Sequence, residues 1–270
     1  MSAPSPVAER PVLPARLERH LLVAWQHPST RAYDLVGRLD IPIAPDDSYR
    51  FAYFRHAASV PGFRPFIDLP DLDRVYESHD LFPLFDNRLT PRSRADFPQV
   101  AAFVGLTADA DPFEVLARTG GRRATDTVEV VPEPNVDPGS GRLEVDFLVH
   151  GVRHHQGLDA CLDQLRPADR LRILCDVQNP NDGMAVALAD GHTRNVGWIP
   201  RYLVPLVHRS AEQFGWSQVK VDVLHVGDAA GPPHLRLLCR LQTAWAPDAP
   251  VLDSPEYDLL EAPVAPALPA

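Results

Sequence analysis

Between Arg172 and Arg201 the chain reads RILCDVQNPNDGMAVALADGHTRNVGWIPR, a stretch organised around one compact polar block. The pattern is strand, polar turn, strand, irregular turn and a third strand, set around the compact block Asn179-Pro180-Asn181-Asp182. Asn and Asp side chains bond their own backbone in such blocks, and proline withholds a ladder donor, so the chain must turn there. The stretch from Arg172 to Arg201 therefore reads as short strands packed around that turn. A second polar cluster, Arg153-His154-His155, lies upstream, and the two clusters read as halves of one binding face on a small β domain.

The remaining pattern predicts a mostly β, α+β chain in two parts. Residues 1–15 and 243–270, rich in Pro and Ala, read as tails that need not fold. Residues 16–132 read as an N-terminal α+β domain, with strands at His20–Trp25 and Leu35–Leu39. Tyr49, Phe51 and Tyr53 recur at period two, which puts three rings on one face of a third strand and Phe54 on the other. Leu81–Asn87 reads as a helix or irregular aromatic block, followed by short helices at Pro98–Leu106 and Pro112–Arg118, the last ended by Gly120-Gly121. Residues 133–142 have the composition of a linker. Residues 143–242 read as a small, partly open β barrel: strands at Leu143–Gly151, Leu171–Val177, Met184–Leu188 and Val196–Ile199, a short helix at Ala160–Leu165, a covering helix at Pro200–Phe214, and a final hairpin Val219–Val226 with Leu235–Gln242.

Composition narrows the function classes. A net charge of −10 offers no broad positive field for a phosphate backbone, so any nucleic-acid contact must be local. Local positive runs exist at Arg88, Arg92 and Arg94 and at Arg118, Arg122 and Arg123. Cys161, Cys175 and Cys239 are too few and too scattered for a disulfide framework or a zinc knuckle and read as buried thiols in a reducing compartment. Adjacent strand residues such as His154 and His155 point to opposite faces, so no metal site is expected, and no cofactor. No apolar run is long enough to span a membrane and no leader pattern opens the chain, so a cytoplasmic location is expected. The chain lacks GxSxG, a P-loop, HExxH and CxxC, so no intrinsic catalytic activity is expected.

Residues about 143–242 resemble the HIRAN domain. The resemblance is carried by Gly151-Val152-Arg153 with two ring residues and Gly157, by Asn179-Pro180-Asn181-Asp182, by Ala185-Val186 and by Val196-Gly197-Trp198-Ile199-Pro200-Arg201. It implies capture of single-stranded DNA at its 3′ end, with the nucleic-acid-binding roles falling to Arg153, His154, Asn181, Asp182, Trp198 and Arg201. Where the family pattern has tyrosine, this chain has Asn181, which gives up a stacking face worth roughly 1–3 kcal/mol per base.

The N-terminal half resembles the non-catalytic N-terminal subdomain of HipA-type kinases, through Val36-Gly37-Arg38-Leu39, Tyr49 to Tyr53, and Leu81 to Leu89 with Arg94. That resemblance implies a scaffold or partner surface, for which Phe82, Phe85 and Arg88 are the candidates. The two functional expectations are therefore a module for single-stranded DNA or DNA 3′ ends, and a non-catalytic interaction protein with a kinase-like or DNA-processing partner.

Overall fold

The computed structural model describes residues 20–42, 47–123, 126–152, 158–179, 182–247, 249–252 and 255–260. The N-terminal part is an antiparallel sheet of β1 (His20–Gln26), β2 (Tyr33–Asp40), β3 (Tyr49–Tyr53), β4 (Tyr76–Ser78) and β5 (Val128–Pro132), in the order β4-β3-β2-β1-β5. Period-two alternation gives it two apolar faces. Leu21, Val23, Phe51, Tyr53 and Val130 pack on one face with Phe85 of α1 (Pro83–Asp86) and Leu116 of α3 (Pro112–Thr119). Leu22, Ala24, Phe54 and Val131 form the opposite face, so the rings of β3 divide as their spacing predicts. A third helix, α2 (Phe97–Phe103), lies between α1 and α3 in the chain. Asp111 and Glu114 close a reciprocal capping box at the start of α3, and Gly120 ends it at φ 69°.

Seven strands make the second antiparallel sheet: β6 (Asn135–Asp137), β7 (Arg142–Leu148), β8 (Arg170–Cys175), β9 (Val186–Ala189), β10 (Asn195–Trp198), β11 (Lys220–Val226) and β12 (Leu237–Ala244). Their order is β10-β9-β8-β11-β12-β7-β6, and the sheet is open. One isolated bridge, His150 with Trp198, draws the chain just beyond β7 onto β10. The core beneath contains Leu143, Phe147, Leu188, Val221 and Leu241, covered by Val204, Val207 and Ala211 of α5 (Val204–Phe214). Each large buried side chain there contributes roughly 1.5–3 kcal/mol. The chain enters α5 through one 3-10 turn, Arg201–Leu203, and α4 (Leu158–Leu162) packs Leu162 into the same core.

Three expectations change. Residues 135–137, inside the stretch read as a linker, form β6, whose Val136 pairs with Leu143 of β7. The C-terminal stretch read as a tail is structured in part. Trp245 is buried and donates its amide to Gly141 O at 2.8 Å, while Leu260 N donates to Tyr53 O at 2.8 Å and Leu259 packs on the outer face of the first sheet. Two of the three thiols are buried, but Cys175 at the end of β8 is exposed. Among the described residues no helix is long and apolar enough to cross a membrane.

Candidate functional site

The Asn179–Asp182 block joins β8 to β9, and Asp182 closes its end. The Oδ1 atom accepts from Met184 N at 3.0 Å, and the backbone carbonyl accepts from Ala185 N at 3.0 Å. Its Oδ2 atom lies 3.2 Å from Arg201 Nε, with the Arg201 side chain 41 % exposed against 19 % for Asp182. Asp176 performs the matching task at the other end of the block. It accepts from Asn179 Nδ2 at 3.1 Å and from the Trp198 indole Nε1 at 3.0 Å. The Trp198 backbone is held in turn by two hydrogen bonds with His150, of 2.9 and 3.0 Å. Local turn chemistry thus places Asp182, Trp198 and Arg201 in one corner.

That corner is one wall of a cleft of about 1090 Å³ between the two sheets. Arg31, from the β1–β2 loop, and Arg122 and Arg123, from the segment after α3, line it from the other side. Glu129 of β5 also lines the cleft, although its side chain is only 3 % exposed. His150 Nε2 lies 3.4 Å from its Oε1 atom and Arg122 Nε 3.7 Å from its Oε2 atom, and Arg122 also donates to the Tyr33 hydroxyl at 2.9 Å. Burial works to raise the Glu129 pKa, but the charge and hydrogen bond of His150, with Arg122 and Tyr33, outweigh it and hold the carboxyl below its ordinary range. The Tyr33 and Tyr202 hydroxyls are shifted up by burial and then by the Glu129 charge. Tyr33, His150 and Tyr202 meet with ring centroids 5.5 to 6.2 Å apart, so an aromatic and ionic knot joins the two sheets beside the cleft.

The expected DNA-contacting residues fall into two groups. Asp182, Trp198 and Arg201 come together as described, whereas Arg153, His154 and Asn181 lie outside the described residues. The expected partner surface changes more. Phe85 is fully buried and Phe82 is 8 % exposed, both in the first core, and the Arg88 side chain is 1 % exposed. Arg88 donates to Gly121 O at 2.9 Å and forks onto Asp126, with Nη2 to Oδ2 at 2.7 Å. These three side chains hold the N-terminal part together and present no contact surface in this conformation. Of the positive run Arg118, Arg122 and Arg123, Arg118 turns inward to Asp146 at 3.6 Å and only the other two reach the cleft.

Sequence reasoning passed over Tyr33, Glu129 and Arg31. The signal for Glu129 was present in Val128-Glu129-Val130-Val131, a single carboxylate inside an apolar strand-like run. A charge in such a run needs a partner from elsewhere in the fold. For Arg31 the sequence carries no such signal; its φ of 60° in the β1–β2 loop is evident only in the folded chain.

No family model and no curated protein sequence matches the chain. Among solved structures, 38% of this chain matches a protein from Lactobacillus plantarum, covering 97% of that chain at 19% identity with a TM-score of 0.30. The same share, 38%, matches the HIRAN domain of human HLTF, covering 74% of that chain at 16% identity with a TM-score of 0.27. The structural similarity to a HIRAN domain is thus distant and partial.

Proposed function

We propose that the cleft binds single-stranded DNA and seats a 3′ end in the Asp182–Trp198–Arg201 corner. The observation that supports this reading most is the meeting of those three side chains in a cleft whose other wall carries three arginines, in a protein whose net charge is −10. A guanidinium forks onto phosphate oxygens, and an ionised aspartate accepts a hydrogen bond from a terminal hydroxyl. The Asp182–Arg201 pair offers both groups 3.2 Å apart, which suits a strand end where a hydroxyl and a phosphate lie close together. Trp198 is half-buried and Gly151 lies directly against its ring, so it supplies apolar contact more than a free stacking face. The expected affinity is accordingly modest.

The test is a titration against blunt, 5′-overhang and 3′-overhang duplexes at two salt concentrations. Preference for the 3′ overhang, weakened by salt, is the expected result, because phosphate contacts release counterions. Binding that is unchanged when the 3′ hydroxyl is blocked would overturn end recognition. Phe82, Phe85 and Arg88 are buried and offer no docking surface in this conformation, so the partner-docking reading has no support from those three side chains.

A further inference from the structure

Among the described residues the cleft has four carboxylates on its walls, and each is committed within the protein. Asp126 pairs with Arg88 at 2.7 Å, Asp176 accepts from Trp198 at 3.0 Å, Asp182 faces Arg201 at 3.2 Å, and Glu129 is held between His150 and Arg122. The arginines are not balanced in the same way. Arg31 and Arg123 are exposed, line the cleft, and among the described residues form no ion pair with a carboxylate. Arg122 lines the same wall, its guanidinium fixed by Tyr33 at 2.9 Å and by Glu129. The local balance on this wall is therefore positive, on a chain that is acidic overall.

From this imbalance we infer that the N-terminal sheet is the second half of the nucleic-acid site, with Arg31, Arg122 and Arg123 gripping the phosphodiester backbone of the strand whose end sits against Asp182 and Arg201. The inference rests on the proposed function and assigns the N-terminal part a ligand-binding role. Glu129 and Tyr33 act as positioning residues, because they hold Arg122 in place. Arg31 is held in place by its own loop. The loop holds it at φ 60°, and its amide and carbonyl are both engaged, by His27 O at 2.9 Å and by Gln26 Nε2 at 3.1 Å. Those bonds fix the turn, and with it the point at which the exposed Arg31 side chain leaves the backbone beside the cleft.

The experiment measures binding of a dT8 oligonucleotide with a free 3′ hydroxyl as a function of salt, for the full chain and for two double variants. In Arg31→Gly/Arg123→Ser both cations are removed at exposed positions, and glycine suits the backbone at position 31. The expected result is a salt slope shallower by about 1.4, from roughly 0.7 per phosphate contact on a single strand, with at least tenfold weaker binding at low salt. Arg31→Lys/Arg123→Lys keeps the charges and is expected to keep most of the slope. An unchanged slope and affinity in the Gly/Ser variant, with wild-type binding and 3′-end preference intact, overturns this inference, and the proposed function then rests on the Asp182–Trp198–Arg201 corner alone. Failure of the wild-type chain to bind any oligonucleotide overturns both. Thermal unfolding of each variant confirms that the fold is present when binding is read, and Arg122 is left unaltered because its loss would strand the buried Glu129 charge.

Discussion

Gly151 lies directly against the Trp198 ring: a Cβ at position 151 would come within 2.4 Å of Cε3 and 2.6 Å of Cζ3. The glycine also sits at φ 78°, next to the His150–Trp198 bridge that joins the chain beyond β7 to β10. Any side chain there meets both a conformational cost and a steric one. Gly151→Ala is expected to lower stability by about 3 kcal/mol, read from the urea midpoint. In a Trp198→Leu background the ring edge is gone and the same substitution is expected to cost only about 1 kcal/mol, so the double-mutant cycle is non-additive. Strict additivity would mean that the contact carries no energy.

Arg88 provides a second test, in the N-terminal core. Its guanidinium reaches Gly121 O, both Asp126 oxygens and Val128 O, at distances from 2.7 to 3.4 Å, while its side chain is 1 % exposed. Arg88→Met removes all of these donors and leaves two buried carbonyls and one half-buried carboxylate to find others. A loss of about 3 kcal/mol is expected in chemical denaturation. Arg88→Lys restores the charge but not the planar fork, so it is expected to recover less than half of the loss. Recovery to wild-type stability would show that charge alone matters at this site.

The contrast between Arg88 and Asp182 marks how far the sequence is legible. Asp182 was readable because its role is local: an aspartate two residues before Met184 bonds the backbone of its own turn, and the neighbouring residues announce that turn. Most strands were readable for the same reason, since the alternation that buries Phe51 and Tyr53 and sends Phe54 to the other face is contained within the strand. Arg88 misled because its partners lie 33 to 40 residues away, at Gly121, Asp126 and Val128, and nothing near it says that a charged side chain will be interior. Glu129 and Arg31 were missed on the same principle. Their significance comes from a cleft between two sheets, which is a product of tertiary packing. The short strand β6 and the C-terminal segment as far as Leu260 are likewise stabilised by the sheet and apolar face they join, not by their own composition.

Asp190 gives a pH prediction at the β9–β10 turn. Burial works to raise its pKa, but hydrogen bonds from the Arg194 amide and guanidinium, the Cys161 thiol and the His192 amide favour the charged form and bring it from 3.8 down to about 2. The Cys161 thiol, pushed up to about 11 by burial and by Asp190 itself, remains a protonated donor throughout the acid range. A group whose folded pKa is depressed adds stability above its unfolded pKa and loses it as pH falls to the folded value. The stability difference between wild type and Asp190→Asn is therefore expected to be full above pH about 4 and to shrink as pH approaches about 2. Denaturation midpoints taken between those limits check it, and a difference that stays constant would show that the charge is not what holds the turn.

Asp182 can be separated from its scaffold role by one isosteric change. Asp182→Asn keeps an oxygen that can accept from Met184 N and so preserves the turn, but it removes the charge facing Arg201 at 3.2 Å. That pair is partly exposed, so its loss is expected to cost no more than about 1 kcal/mol of stability. Binding responds differently, because the ionised carboxylate is the acceptor assigned to the terminal hydroxyl, and charged acceptors form the stronger hydrogen bonds. The expected outcome is a near-wild-type unfolding curve with about tenfold weaker binding to strands with a free 3′ hydroxyl, and no change toward strands with that end blocked. Equal weakening toward both kinds of strand would assign Asp182 to holding Arg201 in place instead of to reading the hydroxyl.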